Sequence, residues 1–291
     1  MIVADQAEQL RRMVREMRRH ARVVAVTGGK GGTGKTNVAV NLAILLARCH
    51  RQKVMLVDAD LGLANVDLLL DVQPRWNLCH VIDGLRRVEE TIIVGPEGVE
   101  IVPGASGIAR LANLEEVQRR SLAEQLARLE RRADFLIVDT SAGIGDTVVT
   151  LASSADDCLV VTTPEPPSIA DAYALVKLVA RRPQRPRVSL LVNMAGSRQE
   201  ARRVFERLSA VAARFAGITV HDAGFIFCDG HVTRAVRRRR PFVTEFPNAQ
   251  ATWCVRQVAD RLLDGAAQAA APAAADGFFR RVAGLIGALT S

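Results

Sequence analysis

Residues 28–36 read GGKGGTGKT, a glycine-rich stretch that decides the fold of this chain. The stretch meets the phosphate-loop pattern G-x-x-x-x-G-K-[ST] through Gly29, Gly34, Lys35 and Thr36. Glycines let successive backbone N–H groups converge on phosphates, while the lysine reaches the β and γ oxygens and the threonine hydroxyl binds Mg²⁺. The pattern therefore predicts a nucleotide site along this loop, formed by Gly29, Lys30, Gly31, Gly32, Thr33, Gly34, Lys35, Thr36 and Asn37.

The loop carries a second lysine, Lys30, directly after its first pattern glycine. Two cations beside one triphosphate repel each other, so this lysine needs a purpose beyond its own nucleotide. We expect it to reach a nucleotide held by a second copy of the chain, which predicts a nucleotide-dependent homodimer.

The flanking sequence is that of a strand, a loop and a helix. Arg22–Thr27 is a short apolar, β-branched run, and residues 37–48 carry apolar side chains at helical spacing. Further apolar runs alternate with helical segments such as 114–132 and 169–181. These runs lie at Val54–Val57, Val99–Val102, Phe135–Val138, Cys158–Thr162, Val188–Val192 and Gly224–Phe227. This alternation predicts an α/β fold: a doubly wound, mostly parallel sheet with helices on both faces and the ligand at the carboxyl ends of the strands.

Three aspartates stand where two of these strands end. Asp58 and Asp60 follow the run at 54–57, and Asp139 follows the run at 135–138. An aspartate that ends a strand beside a phosphate loop can hold the water shell of a metal ion. A second acid two residues further lies on the same side of an extended chain and can position an attacking water. We predict that Asp58 and Asp139 serve the Mg²⁺ together with Thr36, and that Asp60 is catalytic together with Lys30 and Lys35.

Composition sets the broad class. The chain has 291 residues, 49% hydrophobic and 24% charged, which is enough for one α/β domain with appendages or for two small domains. No apolar run reaches the roughly 20 residues that span a bilayer, and five dispersed cysteines favour a reducing cytoplasm over a disulfide, zinc or iron–sulfur framework. The net charge of +8 favours an anionic partner, either nucleic acid or a membrane surface. Its arginines cluster in residues 11–22, 181–187 and 237–240, and each cluster could also be a solvated face.

Several of these motifs resemble those of a known family. The doubled-lysine loop, DADLGLANVD at 58–67 and DTSAGIGD at 139–146 resemble the MinD/ParA family of deviant Walker A ATPases. The resemblance is narrowed to the flagellar number regulators called FlhG or FleN by PGASGIARLANL at 103–114, TTPEPPSIADAYALVK at 162–177 and AVRRRRPFV at 235–243. The similarity covers residues 22–262.

The resemblance implies a Mg²⁺-dependent ATPase that forms a sandwich dimer around ATP. Lys30 would contact the ATP of the second copy, Lys35 and Thr36 would serve phosphate and Mg²⁺, and Asp60 would orient the hydrolytic water. Asp58 and Asp139 would hold the metal through its water molecules.

On the adenine side the resemblance is weaker. Asn193 matches the family's adenine-reading asparagine, with a strand-capping amide as the alternative, and Asp229 ends the second adenine-side loop. The chain departs from the family at Met194, where an arginine is usual, and at Phe227 and Cys228, where a proline and an aromatic residue are usual. We therefore expect the base contacts to be rebuilt here.

The N-terminal segment contains DQAEQLR at residues 5–11. Asp5 is a good N-cap, and the following apolar spacing predicts a short basic amphipathic helix. The segment resembles the DQAxxLR element with which this family stimulates FlhF, a signal-recognition-type GTPase. That resemblance implies partner contacts by Asp5, Gln6, Leu10 and Arg11, with the Gln6 amide orienting a catalytic water. A helix docked on its own domain is the alternative.

At the other end, an alanine-rich linker at 265–277 precedes a final amphipathic segment. A helix over 278–289 would be about 18 Å long, too short to span a bilayer. A basic amphipathic helix with a Phe-Phe anchor suits the interface of an anionic membrane. Its membrane-facing residues would be Phe278, Phe279, Val282, Leu285, Ile286 and Leu289. The alternative is a helix packed on the core or in the dimer groove. Both arrangements occur if the helix is packed on the protein without ATP and released with it.

We thus divide the chain into a partner-activating helix (1–20), an ATPase domain (21–264), a linker (265–277) and a membrane-targeting helix (278–291). The expected function is an ATP switch in which dimerisation pairs two weak tails and attaches the protein to the inner face of the cell membrane, and hydrolysis to ADP returns it to the cytoplasm. Expected partners are FlhF and a flagellar C-ring protein or transcriptional regulator. The alternative is a ParA-type DNA-partitioning or cargo-positioning ATPase that uses the arginine clusters on phosphates. The terminal helix and DQAEQLR argue against it.

Overall fold

An eight-stranded sheet forms the centre of the molecule. The computed structural model describes residues 21–60, 65–103, 114–268 and 277–290. The strands are β1 (Arg22–Gly28), β2 (Val54–Ala59), β3 (Ile93–Val94), β4 (Glu100–Pro103), β5 (Phe135–Ala142), β6 (Asp157–Thr162), β7 (Arg187–Ala195) and β8 (His221–Phe227). Their spatial order is β3-β4-β2-β5-β1-β6-β7-β8, parallel throughout except for the antiparallel β3–β4 pair. The predicted doubly wound, mostly parallel α/β fold is confirmed.

The apolar runs became strands because both faces of the sheet are covered. Alternate residues of β1 point to opposite layers: Val24 and Val26 join one apolar cluster, and Val23 and Ala25 join another. Strand β3 was not predicted, because a pair at 93–94 is too short to show alternation. The start of β1 is fixed by Arg22, whose guanidinium donates to the buried Asp157 carboxylate at 2.6 and 3.0 Å.

Eleven α-helices occur among the described residues: α1 (Lys35–His50), α2 (Asn65–Leu70), α3 (Leu78–Ile82), α4 (Glu116–Glu130), α5 (Asp146–Ser154), α6 (Pro166–Ala180), α7 (Arg198–Ala216), α8 (Gly230–Arg237), α9 (Phe242–Glu245), α10 (Gln250–Gln268) and α11 (Phe278–Thr290). Two short 3₁₀ helices lie at Val88–Thr91 and Pro96–Gly98. Helices α1 and α10 share the apolar layer on one face of the sheet, while α4, α5, α6, α7 and α11 pack on the other. The two layers therefore cover the two faces of the same sheet.

Two boundaries differ from the sequence expectation. Helix α1 begins at Lys35, two residues before the predicted start, because the loop lysine and threonine already belong to its first turn. Helix α10 continues to Gln268, so the linker predicted to begin at Gly265 starts later; its alanines are good helix formers and extend the helix. The predicted helix at 1–20, with Asp5, Gln6, Leu10 and Arg11, lies outside the described residues. Among the helices of the described part, none is both long and apolar enough to cross a membrane.

Candidate nucleotide-binding site

The phosphate loop, residues 28–36, joins the end of β1 to the start of α1 at the centre of the sheet. Gly34 caps the helix with φ 86°, a left-handed conformation that only glycine adopts without strain. Gly29 lies against helix α6: a Cβ there would stand 2.3 Å from the carbonyl of Asp171. The loop is therefore fixed by close backbone packing that side chains larger than hydrogen would disrupt.

Lys35 lies beneath this loop and is only 7% exposed. Its ammonium donates to the carbonyl of Lys30 at 3.3 Å, which closes the loop over it. Burial lowers the pKa of Lys35, while the charges of Asp139 and Asp60 act in the opposite direction. An ammonium held below converging backbone N–H groups is the arrangement that phosphate recognition requires.

Asp58 and Asp139 meet because their strands are neighbours. The two residues are register partners in β2 and β5, and their exposures are 1% and 0%. Burial raises the pKa of Asp58 to about 7, against the hydrogen bonds that its carboxylate accepts from the N–H groups of Asp60 (3.1 Å) and Val66 (3.4 Å). Burial likewise raises the pKa of Asp139 to about 8, although the neighbouring Thr36 hydroxyl favours its charged form.

These two carboxyls fit a divalent cation. The Thr36 hydroxyl is the donor that acts on Asp139, but among the described residues neither of its two buried oxygens has a hydrogen bond of good geometry. A nearby cation would let both acids ionise and would remove their mutual repulsion. The Thr36 hydroxyl at the first turn of α1 completes an oxygen donor set suited to Mg²⁺.

Asp60 follows directly on β2 and is half-buried at the same edge. Its negative charge acts to raise the pKa of the buried Lys35 ammonium, as that of Asp139 does. The structure thus brings Lys35, Thr36, Asp58, Asp60 and Asp139 together at the carboxyl ends of β1, β2 and β5, as the sequence predicted.

Lys30 projects outward from the same loop, and 43% of its side chain is exposed. Its ammonium pairs with the exposed carboxylate of Glu165 at 3.2 Å. Such an exposed pair contributes little, at most about 1 kcal/mol, so Lys30 can leave it. Glu165 was not predicted; it stands at the N-cap of α6, and no local pattern relates it to the loop 135 residues earlier.

On the base side, Asn193 and Asp229 are used within the protein. The Asn193 amide donates to the carbonyl of Thr33 at 2.8 Å and accepts from the N–H of Met194 at 2.9 Å. Asp229 caps α8 and accepts from the N–H groups of His231 and Ala251 at 2.9 and 3.1 Å. Burial raises the pKa of Asp229, but these hydrogen bonds outweigh it and the pKa falls below its usual value. Their predicted role in adenine recognition stays a prediction.

Helix α11, hereafter the tail helix, packs on α4 and α5. Phe278, Phe279, Val282 and Ile286 are each at most 5% exposed, so the stripe predicted to face a membrane is turned to the protein. Leu285 is half-buried, and the side chain of Leu289 lies outside the described part. The structure therefore shows the tucked arrangement of the two that the sequence allowed.

Polar contacts of Phe278 and Arg281 help to fix the docked tail helix. The N–H of Phe278 donates to the buried Glu130 carboxylate at 3.1 Å. Arg281 donates to the carbonyl of Ser154 at 2.9 Å and contacts Asp156 at 3.5 Å. Burial raises the pKa of Glu130, against the backbone hydrogen bond from Phe278 and the charge of Arg281. Neither Glu130 nor Asp156 could be linked to the tail from sequence spacing.

The arginine cluster at 237–240 is largely paired with acids. Arg238 contacts Glu245 at 2.6 Å, Arg240 contacts the same carboxylate at 3.9 Å, and Arg239 contacts Asp71 at 3.3 Å. These ion pairs connect the end of α8 to its neighbours and reduce the charge available to a polyanion. Three of the four arginines are thus exposed to solvent and at the same time paired with acids of this chain.

The fold and the site together define a phosphate-loop nucleotide-binding protein. Residues 21–190 match the family model AAA_31, described as an AAA domain. The chain is 45% identical over 240 residues to the Antiactivator FleN of Pseudomonas aeruginosa, covering 82% of this chain and 85% of that protein. It is 32% identical to the flagellum site-determining protein YlxH of Helicobacter pylori, over 84% of this chain and 82% of the relative.

Solved structures agree with this assignment. The cell division ATPase MinD of Pyrococcus furiosus superimposes with a TM-score of 0.68 and 26% identity, covering 84% of this chain and 99% of that one. The chain belongs to the MinD/ParA family of ATPases and, within it, to the flagellar number regulators called FlhG or FleN. The resemblance noted from the motifs is confirmed.

Proposed function

We propose that this protein is an ATP-driven membrane switch that regulates flagellar number or placement. Mg²⁺ and ATP bind at the phosphate loop, two copies associate face to face, and the dimer attaches to the membrane through two tail helices. Hydrolysis to ADP separates the copies and returns each tail helix to its groove. The observation that carries this proposal is the tail helix, whose apolar stripe is buried against α5, the helix that directly follows the Asp139 strand.

The chemistry of the site supports hydrolysis. Lys35 neutralises phosphate charge from below the loop, and Asp58, Asp139 and Thr36 would hold a Mg²⁺, which when bound stabilises the charge that develops on the phosphates. Asp60 orients the water that attacks the terminal phosphate. No group in this set needs to move far, because adjacent strands already bring the residues together.

Dimerisation uses Lys30. In the structure its ammonium has an exposed carboxylate partner, Glu165, which a phosphate of a second copy can replace at little cost. We expect Lys30→Ala to stay monomeric with ATP and Glu165→Gln to dimerise at least as well as the unmodified chain. Sizing both variants with ATP tests this, and an ATP-dependent Lys30→Ala dimer would refute the role given to Lys30.

Coupling to the tail helix runs through α5. This helix begins at Asp146, the last residue of the DTSAGIGD motif, and ends at Ser154, whose carbonyl binds Arg281. A change at the nucleotide edge of β5 can thus shift the carbonyl that holds the tail helix. Once free, a single helix of this length binds a membrane weakly, and pairing two raises the effective affinity by 10² or more.

The partners follow from family membership. The P. aeruginosa relative is called an antiactivator, which supports binding to a transcriptional regulator, and the H. pylori relative is called flagellum site-determining. We also propose that the DQAEQLR segment stimulates FlhF through Gln6 and that a flagellar C-ring protein is a further partner. Both await a binding measurement with the full chain.

Flotation of the purified chain with vesicles of phosphatidylglycerol and phosphatidylethanolamine tests the switch. We expect the intact chain to float with ATP and Mg²⁺ but not with ADP, and the chain ending at Gly277 to float with neither. Flotation that is independent of ATP or of the tail would refute the proposal. Salt-sensitive retention of DNA without flotation would favour the partitioning ATPase instead.

A further inference from the structure

A row of exposed cations lies along the edge of the sheet opposite to the nucleotide site. Three loops enter their strands at this edge: 51–53 leads into β2, 131–134 into β5 and 181–186 into β7. These loops carry basic side chains that are exposed to solvent, hereafter the basic rim: Arg51, Lys53, Arg131, Arg181 and Arg185. Because β2, β5, β1, β6 and β7 are successive strands of the sheet, the rim extends over four strand spacings, about 19 Å.

The charges of the basic rim are available because the acids beside it are engaged with other groups. Asp134 accepts from the backbone N–H of Lys53 at 2.9 Å, and Asp157 accepts from the guanidinium of Arg22 at 2.6 Å. In the part of the chain that the structure describes, none of the five rim side chains forms an ion pair with an acid. Exposed cations without such a partner raise the local concentration of anions, so this edge attracts anionic ligands.

The tail helix is joined to the rest of the chain at this same edge. The last turn of α10 reaches the start of β7, where a Cβ on Gly265 would overlap the guanidinium of Arg187. Gly277, just before the tail helix, lies against the carboxylate of Glu130 at the end of α4. The chain on both sides of residues 269–276 is thus held next to the loops that carry the basic rim. A tail helix that leaves its groove therefore emerges beside the rim, at the edge away from the nucleotide site.

We propose that the basic rim is a second membrane-contacting surface, which binds anionic lipid headgroups while the tail helix lies in the bilayer interface. The inference rests on the proposed membrane switch. A single short anchor binds a bilayer weakly, and stable attachment takes a second signal such as a polybasic patch. Each cation close to an anionic leaflet raises the affinity by about fivefold. The apolar helix at the same edge favours lipid over nucleic acid, since a nucleic acid offers no apolar phase to receive it.

Flotation with ATP and Mg²⁺ on vesicles of phosphatidylglycerol and phosphatidylethanolamine, over a series of lipid concentrations, tests this surface. Lys53→Gln, Arg131→Gln and Arg185→Gln, combined in one chain, remove one charge from each loop and leave the nucleotide site and the tail helix unchanged. This rim variant should need roughly 10²-fold more lipid for half-maximal flotation, and each single substitution about fivefold more. High salt should remove most of this difference, because it screens exposed charges.

A control variant removes the same charge from another face of the molecule. Arg198→Gln, Arg203→Gln and Arg207→Gln, combined in one chain, replace three exposed arginines of α7, outside the basic rim. This control should change half-maximal flotation by less than about twofold, since charges beyond a Debye length from the bilayer are screened. Both variants should melt at the temperature of the unmodified chain and hydrolyse ATP at its rate.

The outcomes separate the rim from the switch. A rim variant that floats like the unmodified chain would overturn the inference, and so would an equal loss in the control variant. Lower retention of duplex DNA by the rim variant, with unchanged flotation, would assign the rim to nucleic acid instead. An unmodified chain that does not float with ATP would refute the proposed switch itself and the rim with it.

Discussion

The phosphate loop and the tail helix are both packed on the same body, but they are held in different ways. The loop is fixed by backbone: Gly29 against Asp171, and Gly34 beneath Asn193, leave no room for a side chain. The tail helix is held by an apolar stripe and by the polar contacts of Phe278 and Arg281. A backbone-packed loop cannot leave without unfolding its surroundings, whereas an amphipathic helix can exchange one apolar surface for another.

This difference assigns separate tasks to the two regions. The phosphate loop keeps one geometry, so its response to a nucleotide is confined to side chains such as Lys30. We propose that the tail helix undocks, so that its position reports what the loop has bound. The following predictions test this division by disturbing one region and measuring the other.

The largest effect is expected at Asp60, to which we assign the positioning of the attacking water and no part in holding the loop. Asp60→Ala should lower the ATP hydrolysis rate by about 10²–10⁴-fold, the usual contribution of a positioned acid or base. The dimer should then persist with ATP, and the tail helix should remain available to vesicles. Phosphate release and flotation measure the two effects. A variant that hydrolyses ATP normally would remove Asp60 from the mechanism.

The next effect concerns the fixed geometry of the loop. Gly29→Ala should destabilise the protein by roughly 1–3 kcal/mol or more, because its methyl group overlaps the backbone of Asp171. Gly31→Ala is the matched control, since a Cβ at Gly31 meets nothing within 4 Å. Thermal unfolding without nucleotide compares them. Equal melting temperatures would mean that the loop is not packed as tightly as the structure indicates.

A smaller effect is expected when one contact of the tail helix is removed. Arg281→Ala loses the hydrogen bond to Ser154 and should weaken docking by about 1–2 kcal/mol, which is roughly five- to thirtyfold in the docking equilibrium. Arg280→Ala removes the same charge from an exposed position of the same helix. Flotation with ADP should therefore rise for Arg281→Ala and not for Arg280→Ala. Identical behaviour would show that Arg281 does not hold the helix.

The smallest effect is a pH dependence of docking. Burial raises the pKa of Glu130 above its ordinary 4.5, against the hydrogen bond from Phe278 and the charge of Arg281. We expect the tail helix to supply most of that burial, so that the docked state binds a proton more tightly than the undocked state. Docking is accordingly strongest at low pH and weakens as pH rises from about 4.5 through the raised pKa. Asp156, which is half-buried and also has a pKa raised by burial, contacts Arg281 of the same helix. Hydrogen-exchange protection of residues 278–287, corrected for intrinsic rates, measures this.

Glu130→Gln is the control for that titration. The amide keeps an oxygen acceptor for the Phe278 N–H but has no proton to exchange. The variant should therefore show a flatter pH profile than the unmodified chain. If both proteins show an equally steep profile, the pH dependence of docking comes from other groups, with Asp156 as the first candidate.

The residues assigned to the phosphate side from the sequence lie together in the structure because the pattern that identifies them is local. A glycine loop needs its residues in order, and Asp58 and Asp139 end apolar runs that could only be neighbouring strands. The sheet was predictable for the same reason, since each run is long enough to show its pattern. Only β3, a strand of two residues, was not predicted.

The remaining features depend on contacts between distant residues. Glu165 meets Lys30 across 135 positions, and Glu130 meets Phe278 across 148, with no motif at either end. An apolar stripe fits a membrane or a protein groove equally well, so the docked position of the tail helix required the structure. A bulge in β7 at Met194 is likewise invisible in sequence, because only the β7–β8 register reveals the extra residue.

The adjacent acids Asp156 and Asp157 have a geometric consequence for the whole chain. Asp157 binds Arg22 and Asp156 accepts from the N–H of Val23, just where the chain enters β1, while Asp156 also contacts Arg281 of the tail helix. The start of β1 and the tail helix are therefore held by neighbouring acids at one corner of the molecule. We therefore expect a protein that binds the residues before Ala21 to lie beside the docking site of the tail helix. Docking of this helix would then limit the space that is open to that protein.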